Sequence, residues 1–400
     1  MEWTEIITGC TNGLNKSIIM AWLLLALIPY LLVFTGIRIM LLRNRGTGRH
    51  DKKQQPDRPY MLSVIIPVKN EAGNIRLLLS DLAAQSLDHA LYEIIIIDDA
   101  STDATPAILR SWQGKRPFIK IITGAGGGKK KALGLGLQKA GGDYIVTTDG
   151  DCRIHPGWLS DIYSFIRAAN ADMIIGPVDI IRTGRVLNGF VQLEFLSLQA
   201  VTEAFAKNGR PVLCNGANLC FKNPGAGKYP SMIKEHISSG DDIFLMESFK
   251  AANKKISWLD TSASRVKTYG PASLPEFLSQ RARWSSKSIS YSDPALAGIT
   301  ALVFATNTLI CFAVVASLII PGLWLSVLLM YIMKSVPDFL LLSYVTVKRG
   351  RQQLLYLFVP AQLLYPFYIF TAGLAGIIKG LFSLQYSKSE KRTGKYKPLP

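Results

Sequence analysis

Four apolar runs of about 25 residues each bracket this chain and limit what it can fold into. One is 18–42, and the others, 298–320, 322–347 and 354–378, follow a long and far more polar stretch. Each is long enough to cross a bilayer as a helix, so the chain reads as membrane-tethered. Hydrophobic residues make up 49% of the sequence and charged residues only 18%, too apolar for a wholly soluble protein. The net charge is +17, and its placement decides what it means. Arg38, Arg43, Arg45, Arg49, Lys52, Lys53 and Arg58 follow the first run, and Lys379, Lys388, Lys391, Arg392, Lys395 and Lys397 follow the last. Basic residues beside membrane spans form the positive-inside and anionic-lipid pattern; no nucleic-acid motif accompanies them.

The organisation expected is an N-terminal segment 1–17, an anchor 18–42, a basic linker 43–60, a cytoplasmic domain 61–297, a membrane region 298–378 of about three helical segments, and a basic tail 379–400. A cleaved signal peptide would carry its basic residues ahead of the apolar run, whereas here they lie after it, so the anchor is read as uncleaved. The location implied is a bacterial-type inner membrane, multi-pass, with the 61–297 domain in the cytoplasm. Counting spans creates a conflict. One before the domain and three after put the tail outside, yet its six basic residues against Glu390 want it inside. Either one C-terminal segment is re-entrant or interfacial, or the tail breaks the rule. In the second C-terminal run, Lys334 and Asp338 stand four apart and can pair on one helix face, which favours a packing role.

The five cysteines, Cys10, Cys152, Cys214, Cys220 and Cys311, form no C-x-x-C pair, and the four histidines have no zinc spacing. Reduced thiols and no structural zinc are expected. Within 61–297, short β-branched runs alternate with helical stretches. Strands are expected at 62–67, 93–98, 118–123, 144–147 and 172–178. Helices are expected after an Asn70 cap with Glu71 in its first turn, from Asp103 to about Trp112, and over 129–140, 187–206 and 241–252. Such alternation implies a doubly wound, mostly parallel α/β sheet.

The strand 144–147 leads into Asp149-Gly150-Asp151. Alone, that tripeptide is good turn chemistry. At a strand end in an open α/β sheet it is also a place for a divalent cation and a phosphate. Asp98-Asp99 ends another predicted parallel strand, so the two pairs should meet at one sheet edge. Gly240-Asp241-Asp242 opens a later helix, where acid is often only a dipole match. Gln280-Arg281-Ala282-Arg283-Trp284 precedes the C-terminal spans; an arginine can grip a diphosphate, and a tryptophan offers a flat face to a sugar. The glycine-rich 124–128 with Lys129 and Lys130 fails the P-loop pattern, since Thr123 and Lys130 stand where glycine and Ser/Thr are needed. It reads equally as a solvated loop or as a contact for an anionic ligand.

In this order the motifs resemble a membrane-anchored family 2 glycosyltransferase of the GT-A fold. That group includes cellulose, hyaluronan and chitin synthases and ceramide glucosyltransferases. The residues that carry the resemblance run from Pro67-Val-Lys69-Asn-Glu71 through Asp98-Asp99-Ala-Ser-Thr-Asp103, Thr148-Asp-Gly-Asp151, Asn215-Gly-Ala-Asn218 and Gly240-Asp-Asp242 to Gln280-Arg-Ala-Arg-Trp284. The resemblance implies donor contacts from Pro67, Lys69, Glu71, Asp98, Asp99, Lys129, Asp149 and Arg283, with Asp99 at the base or ribose. It implies a Mg²⁺ or Mn²⁺ ion on Asp151 and Asp149, Asp242 as catalytic base beside Asp241, and an acceptor at Gln280 and Trp284. The chain has fewer spans than a synthase that builds its own pore, which speaks against processive export. The function expected is transfer of a sugar, with inversion, from a UDP-type donor to a lipid or membrane-associated glycan, in cell-envelope glycan or glycolipid synthesis. The alternatives are a catalytically silent sugar-nucleotide-binding subunit of a membrane assembly and, less well supported, a transporter.

Overall fold

Ile94, Ile95, Ile96 and Ile97 are each 0% exposed. A run of four β-branched residues can be buried on both faces only in the middle of a sheet covered on both sides. Each such side chain is worth about 1.5–3 kcal/mol of burial, so this strand anchors the domain. The computed structural model describes residues 17–43, 58–114, 116–234, 240–288, 291–320 and 322–393, with backbone alone for 288 and 379–393. Residues 1–16 of the expected N-terminal segment 1–17, most of the linker 43–60 and the end of the tail 379–400 therefore lie outside the described residues.

In chain order the elements are α1 (Ile28–Leu42), β1 (Leu62–Val68), α2 (Ile75–Ala83), β2 (Tyr92–Asp98), α3 (Thr105–Trp112), β3 (Ile119–Thr123), α4 (Lys129–Lys139), β4 (Tyr144–Thr147), α5 (Trp158–Ala169), β5 (Met173–Ile175), β6 (Val178–Ile180), α6 (Val186–Lys207), β7 (Leu219–Lys222), α7 (Asp241–Ala251), β8 (Ile256–Trp258), β9 (Val266–Thr268), α8 (Leu274–Ser288), α9 (Pro294–Ile319), α10 (Trp324–Lys348) and α11 (Phe358–Thr393). They fall into two compact units: an α/β unit of Asn44–Gly184 and Val201–Pro271, and a helical unit of Met1–Arg43, Arg185–Ala200 and Ala272–Tyr396.

In the α/β unit a seven-stranded sheet runs β3-β2-β1-β4-β7-β5-β8. The first four strands are mutually parallel, as the alternation predicts, and β7 is the antiparallel intruder. The order steps from β1 outward to β2 and β3, then returns to place β4 on the other side of β1. That reversal opens a crevice at the carboxyl ends of β1 and β4, where such sheets bind ligands.

Two local expectations need correction. The strand read at 172–178 is two strands, because Pro177 has no N–H for a ladder and Gly176 packs against the Asn218 side chain. The second, β6, pairs with β9 in a separate two-stranded sheet. Asn70 does not cap a helix. It takes a left-handed φ of 57° and its side chain accepts from the Thr102 amide at 2.8 Å, while the helix starts at Ile75. Asn70 thereby belongs to a loop at the sheet edge, and a turn from Glu71, whose carbonyl accepts from the Ile75 amide at 2.9 Å, leads into α2.

Four helices are long and apolar enough to cross a membrane: Ser17–Leu42, Pro294–Ile319, Trp324–Lys348 and Gln352–Ile378. They belong to the helical unit. Ile310, Ala313 and Met330 pack with Leu27 in one buried cluster. The Lys334–Asp338 pair forms at 2.7 Å with Lys334 fully buried, and Gln362 and Tyr30 complete it. Lys334 donates to Gln362 Oε1 at 2.7 Å, and the Tyr30 hydroxyl donates to Asp338 at 2.8 Å. This one network ties α1, α10 and α11 together. Removing one charge leaves the other buried and alone, which costs about 3–5 kcal/mol. Lys334→Met is therefore expected to lower the thermal unfolding midpoint in detergent sharply, and Lys334→Met with Asp338→Leu to recover most of the loss.

Candidate active site

The site grows from the carboxyl ends of β2, β1 and β4. Asp98 closes β2 and accepts from the Ser101 amide at 3.1 Å. Asp99 follows it, 4% exposed, and accepts from the Gly128 amide at 2.9 Å. Gly128 has a φ of 86°, a left-handed conformation that suits glycine, and it is what turns that amide toward Asp99. Lys69 reaches Asp99 more loosely, at 3.9 Å. The glycine-rich stretch is thus both solvated, with Ala125, Gly127 and Gly128 exposed, and tied to β2's acidic end through the Gly128 amide.

Gly150 lets the acidic turn lie against β1: a side chain there would meet Val68 at 2.9 Å and Glu71 at 3.0 Å. Glu71 accordingly sits beside Asp149 and Asp151. Burial, then those two charges, push its carboxyl above the ordinary range, with a hydrogen bond from Asn74 opposing. Asp151 is also pushed up, first by burial and then by Asp149; Thr268 from β9 donates to it at 2.8 Å. Lys129, the first residue of α4, meets Asp149 at 2.5 Å.

Asp241 and Asp242 open α7, where the helix dipole favours negative charge. Asp242 Oδ2 accepts from the Gly216 amide at 3.0 Å and Oδ1 from the Ile243 amide at 2.9 Å. Its pKa is still raised, first by burial and then by Asp241, with Lys129 pulling the other way. For Lys129 the balance is reversed. Burial alone would lower its pKa, but Asp149, Asp241 and Asp242 hold it above the ordinary lysine value. One ammonium group therefore serves both acidic pairs. Pro67, Lys129, Thr148, Asp149, Asp241 and Asp242 line a common cleft with Tyr229 in its wall.

Gln280, Arg283 and Trp284 belong to the helical unit, on α8. Arg283 is exposed and Trp284 half-buried. The residue between them and Gln280 in the chemistry is Arg281, which is 5% exposed. Its guanidinium grips both oxygens of Glu194, donates to Gln280 Oε1 at 2.6 Å and lies 4.2 Å from the Trp284 ring centroid. Tyr368 of α11 donates to the same glutamate at 2.9 Å.

A family model for glycosyl transferase family group 2 matches residues 144–370, more than half of the chain, and one for glycosyl transferase family 2 matches 63–223. The chain belongs to glycosyltransferase family 2. Two curated relatives are similar over part of its length. Glycosyltransferase AglE of Haloferax volcanii is 33% identical over 119 residues, 30% of this chain and 39% of that one. Cholesterol galactosyltransferase of Borreliella burgdorferi is 33% identical over 115 residues, 29% and 32% of the two chains. The match thus spans about a third of those relatives' length. Among solved structures, mannosyltransferase PcManGT of Pyrobaculum calidifontis, determined with GDP-Man and Mn²⁺, superposes with a TM-score of 0.52 at 17% identity. It covers 90% of this chain and 99% of that one, which establishes a shared GT-A-type fold.

In this family 2 glycosyltransferase, several site residues carry no motif of their own. Thr268 had no signal in the sequence; Arg281 stood inside the Gln280–Trp284 motif without a role assigned, and Gly216 in a glycine turn whose amide only the fold aims at Asp242. Asn218, quoted within the Asn215–Asn218 motif, is a scaffold residue, bonding Pro177, Ser264 and Trp158. For a divalent cation the donor set is hard carboxylate oxygen. Among the described residues no three His, Cys, Asp or Glu side chains come together to cage an ion. Two aspartates at most would serve, leaving the other positions to diphosphate oxygens and water, as Mg²⁺ and its relatives are commonly held. The residues fit such an ion.

Because Lys129 lowers the pKa of Asp242, Lys129→Met is expected to raise it further. A carboxylate base is lost as pH falls through its pKa, so the acidic limb of kcat/KM should move to higher pH in this variant. An unmoved limb in a pH–rate profile would show that Lys129 does not act on the base.

Proposed function

We propose that this protein is an inverting, metal-dependent hexosyltransferase of the membrane-embedded group that includes ceramide glucosyltransferases. It moves a sugar from a UDP-linked donor to a lipid or membrane-associated glycan. The observation that carries this reading is Asp242: a half-buried carboxylate, raised in pKa, aimed by two amides into the cleft that also holds Asp149 and Lys129. A general base works best when its pKa is drawn toward the working pH. The name of the Borreliella burgdorferi relative, a cholesterol galactosyltransferase, supports a lipid acceptor.

The roles follow from chemistry. Asp98, Asp99 and Lys69, with Pro67 at the floor, receive the nucleoside end of the donor. Asp242 takes the proton from the acceptor hydroxyl, with Asp241 beside it making its negative charge costly to keep and so strengthening it as a base. The acceptor oxygen bonds to the anomeric carbon as the bond to the diphosphate breaks, and the nucleoside diphosphate leaves. One base acting on a hydroxyl gives a single displacement and inverts the anomeric centre. Lys129 takes up charge on the departing diphosphate, and Glu71 lies beside the turn that would hold it. When bound, a divalent cation on Asp149 and Asp151 would add further neutralisation of that leaving group. Gln280 and Trp284 offer an amide and a flat face to the acceptor.

Purified full-length protein with UDP-sugars, Mn²⁺ and polyprenyl-phosphate or glycolipid acceptors should release UDP and give a product of inverted configuration. Asp242→Asn should cut the rate by roughly a hundred- to ten-thousand-fold. Nucleotide release no greater than that variant's, across the panel, would overturn the reading, and UDP binding without turnover would point to a silent subunit. Asp151→Ala should remove the Mn²⁺-dependent part of UDP binding measured by calorimetry; UDP affinity unaffected by Mn²⁺ in both proteins would contradict the metal role.

A further inference from the structure

Arg281 and Glu194 form a buried ion pair that the proposed chemistry does not use. Arg281 is 5% exposed and Glu194 9%. Such a pair stabilises a fold only weakly, because apolar side chains of the same volume do as well. What it does fix is geometry. Phe277, Arg281 and Trp284 stand at i, i+4 and i+7 on one face of α8. The guanidinium lies 4.8 Å from the Phe277 ring centroid and 4.2 Å from that of Trp284. Its Nε donates to Glu194 Oε1 at 2.8 Å and to Oε2 at 3.0 Å, and Nη2 donates to Oε2 as well. Nη1 donates to Gln280 Oε1 at 2.6 Å. A guanidinium has five donors and no acceptor, so only the oxygen of the Gln280 amide can face it. That oxygen is taken, and the amide NH₂ is turned away from Arg281. Trp284 is half-buried, with part of its indole accessible.

Glu194 comes from α6 and is braced from α11. The Tyr368 hydroxyl donates to Glu194 Oε1 at 2.9 Å. The Tyr368 ring lies 5.0 Å from Phe277 and 6.1 Å from Phe190, and those two lie 5.8 Å apart. Three aromatic rings thus enclose the pair, and in so dry a place a charged hydrogen bond is strong and directional. All these residues belong to the helical unit, and Tyr368 lies within the last of the membrane-length helices.

We propose that Glu194 and Tyr368 are positioning residues for the acceptor. Acting through Arg281, they hold the Trp284 indole in one orientation and make the Gln280 NH₂ the group that is presented. The acceptor then offers a hydrogen-bond-accepting oxygen to Gln280 and a flat apolar surface to Trp284. This inference rests on the reading that Gln280 and Trp284 face the acceptor.

Two measurements on the purified full chain test it. The first needs no acceptor. Acrylamide quenching of Trp284, taken as the difference between the protein and Trp284→Phe, should rise in Arg281→Lys, since lysine keeps the charge but loses the fork and the stack. The second is steady-state kinetics with a UDP-sugar and a glycolipid or polyprenyl-phosphate acceptor. Arg281→Lys should raise the acceptor KM about tenfold, and the milder Tyr368→Phe, which keeps its ring, about threefold. The donor KM and UDP affinity should stay as they were. In a Trp284→Ala background, Tyr368→Phe should add little, because it acts through the residue already removed. Unchanged quenching, an unmoved acceptor KM in both variants, or equal losses in donor and acceptor KM would overturn the proposal alone. An acceptor KM unmoved by Trp284→Ala itself would overturn the acceptor reading beneath it.

Discussion

The repulsion among carboxylates crowded at one sheet edge is the constraint around which the α/β unit is built. Asp98, Asp99, Asp149, Asp151, Asp241 and Asp242 all stand at strand or helix ends, and two like charges about 4 Å apart cost about 4 kcal/mol at an effective dielectric near 20. The fold answers with fixed donors. The amides of Gly128, Gly216, Ser101 and Ile243 and the hydroxyl of Thr268 each take one oxygen. Lys129 serves both the β4 turn and the α7 terminus. What these donors leave uncompensated shows as the raised pKa values of Asp151 and Asp242, first through burial. The residual cost leaves a cleft short of positive charge, lined by carboxylates reluctant to stay ionised.

The helical unit solves a related problem by a different route. Buried charge there is closed into small, complete networks. Lys334 and Asp338 are satisfied by Tyr30 and Gln362, and Arg281 and Glu194 by Gln280 and Tyr368. Each network joins residues far apart in the chain, so each fixes helix register as well as charge. Arg281 makes the point for the Gln-x-x-Arg-Trp motif. The arginine inside it is a buried clamp stacked on Trp284, while the motif's own Arg283 stays exposed and available.

Much of the fold was legible because its strands are short, continuous and β-branched. The runs at 62–67 and 93–98 and the strand leading to Asp149 each declared a buried strand, and their alternation with helices implied the parallel order that the sheet has. Local readings failed where a single residue's conformation depends on a distant partner. Asn70 looks like a helix cap, but the Thr102 amide holds its side chain and the backbone turns left-handed. The run 172–178 looks like one strand, but Pro177 ends the ladder and the remainder joins a second sheet.

Sequence alone determined the residue chemistry and its order: paired aspartates at strand ends, basic clusters after the first and last apolar runs, and the sign of the charge at every site. Those follow from side-chain type and periodicity, which are local. Only the tertiary structure decided which groups share a field. That Lys129 serves Asp149 and Asp242 together, that Thr268 braces Asp151 and that Arg281 grips Glu194 are facts of packing between segments far apart in the chain. No local pattern encodes them, because the energy of a charge or a close contact depends on distance in space and not on separation in sequence.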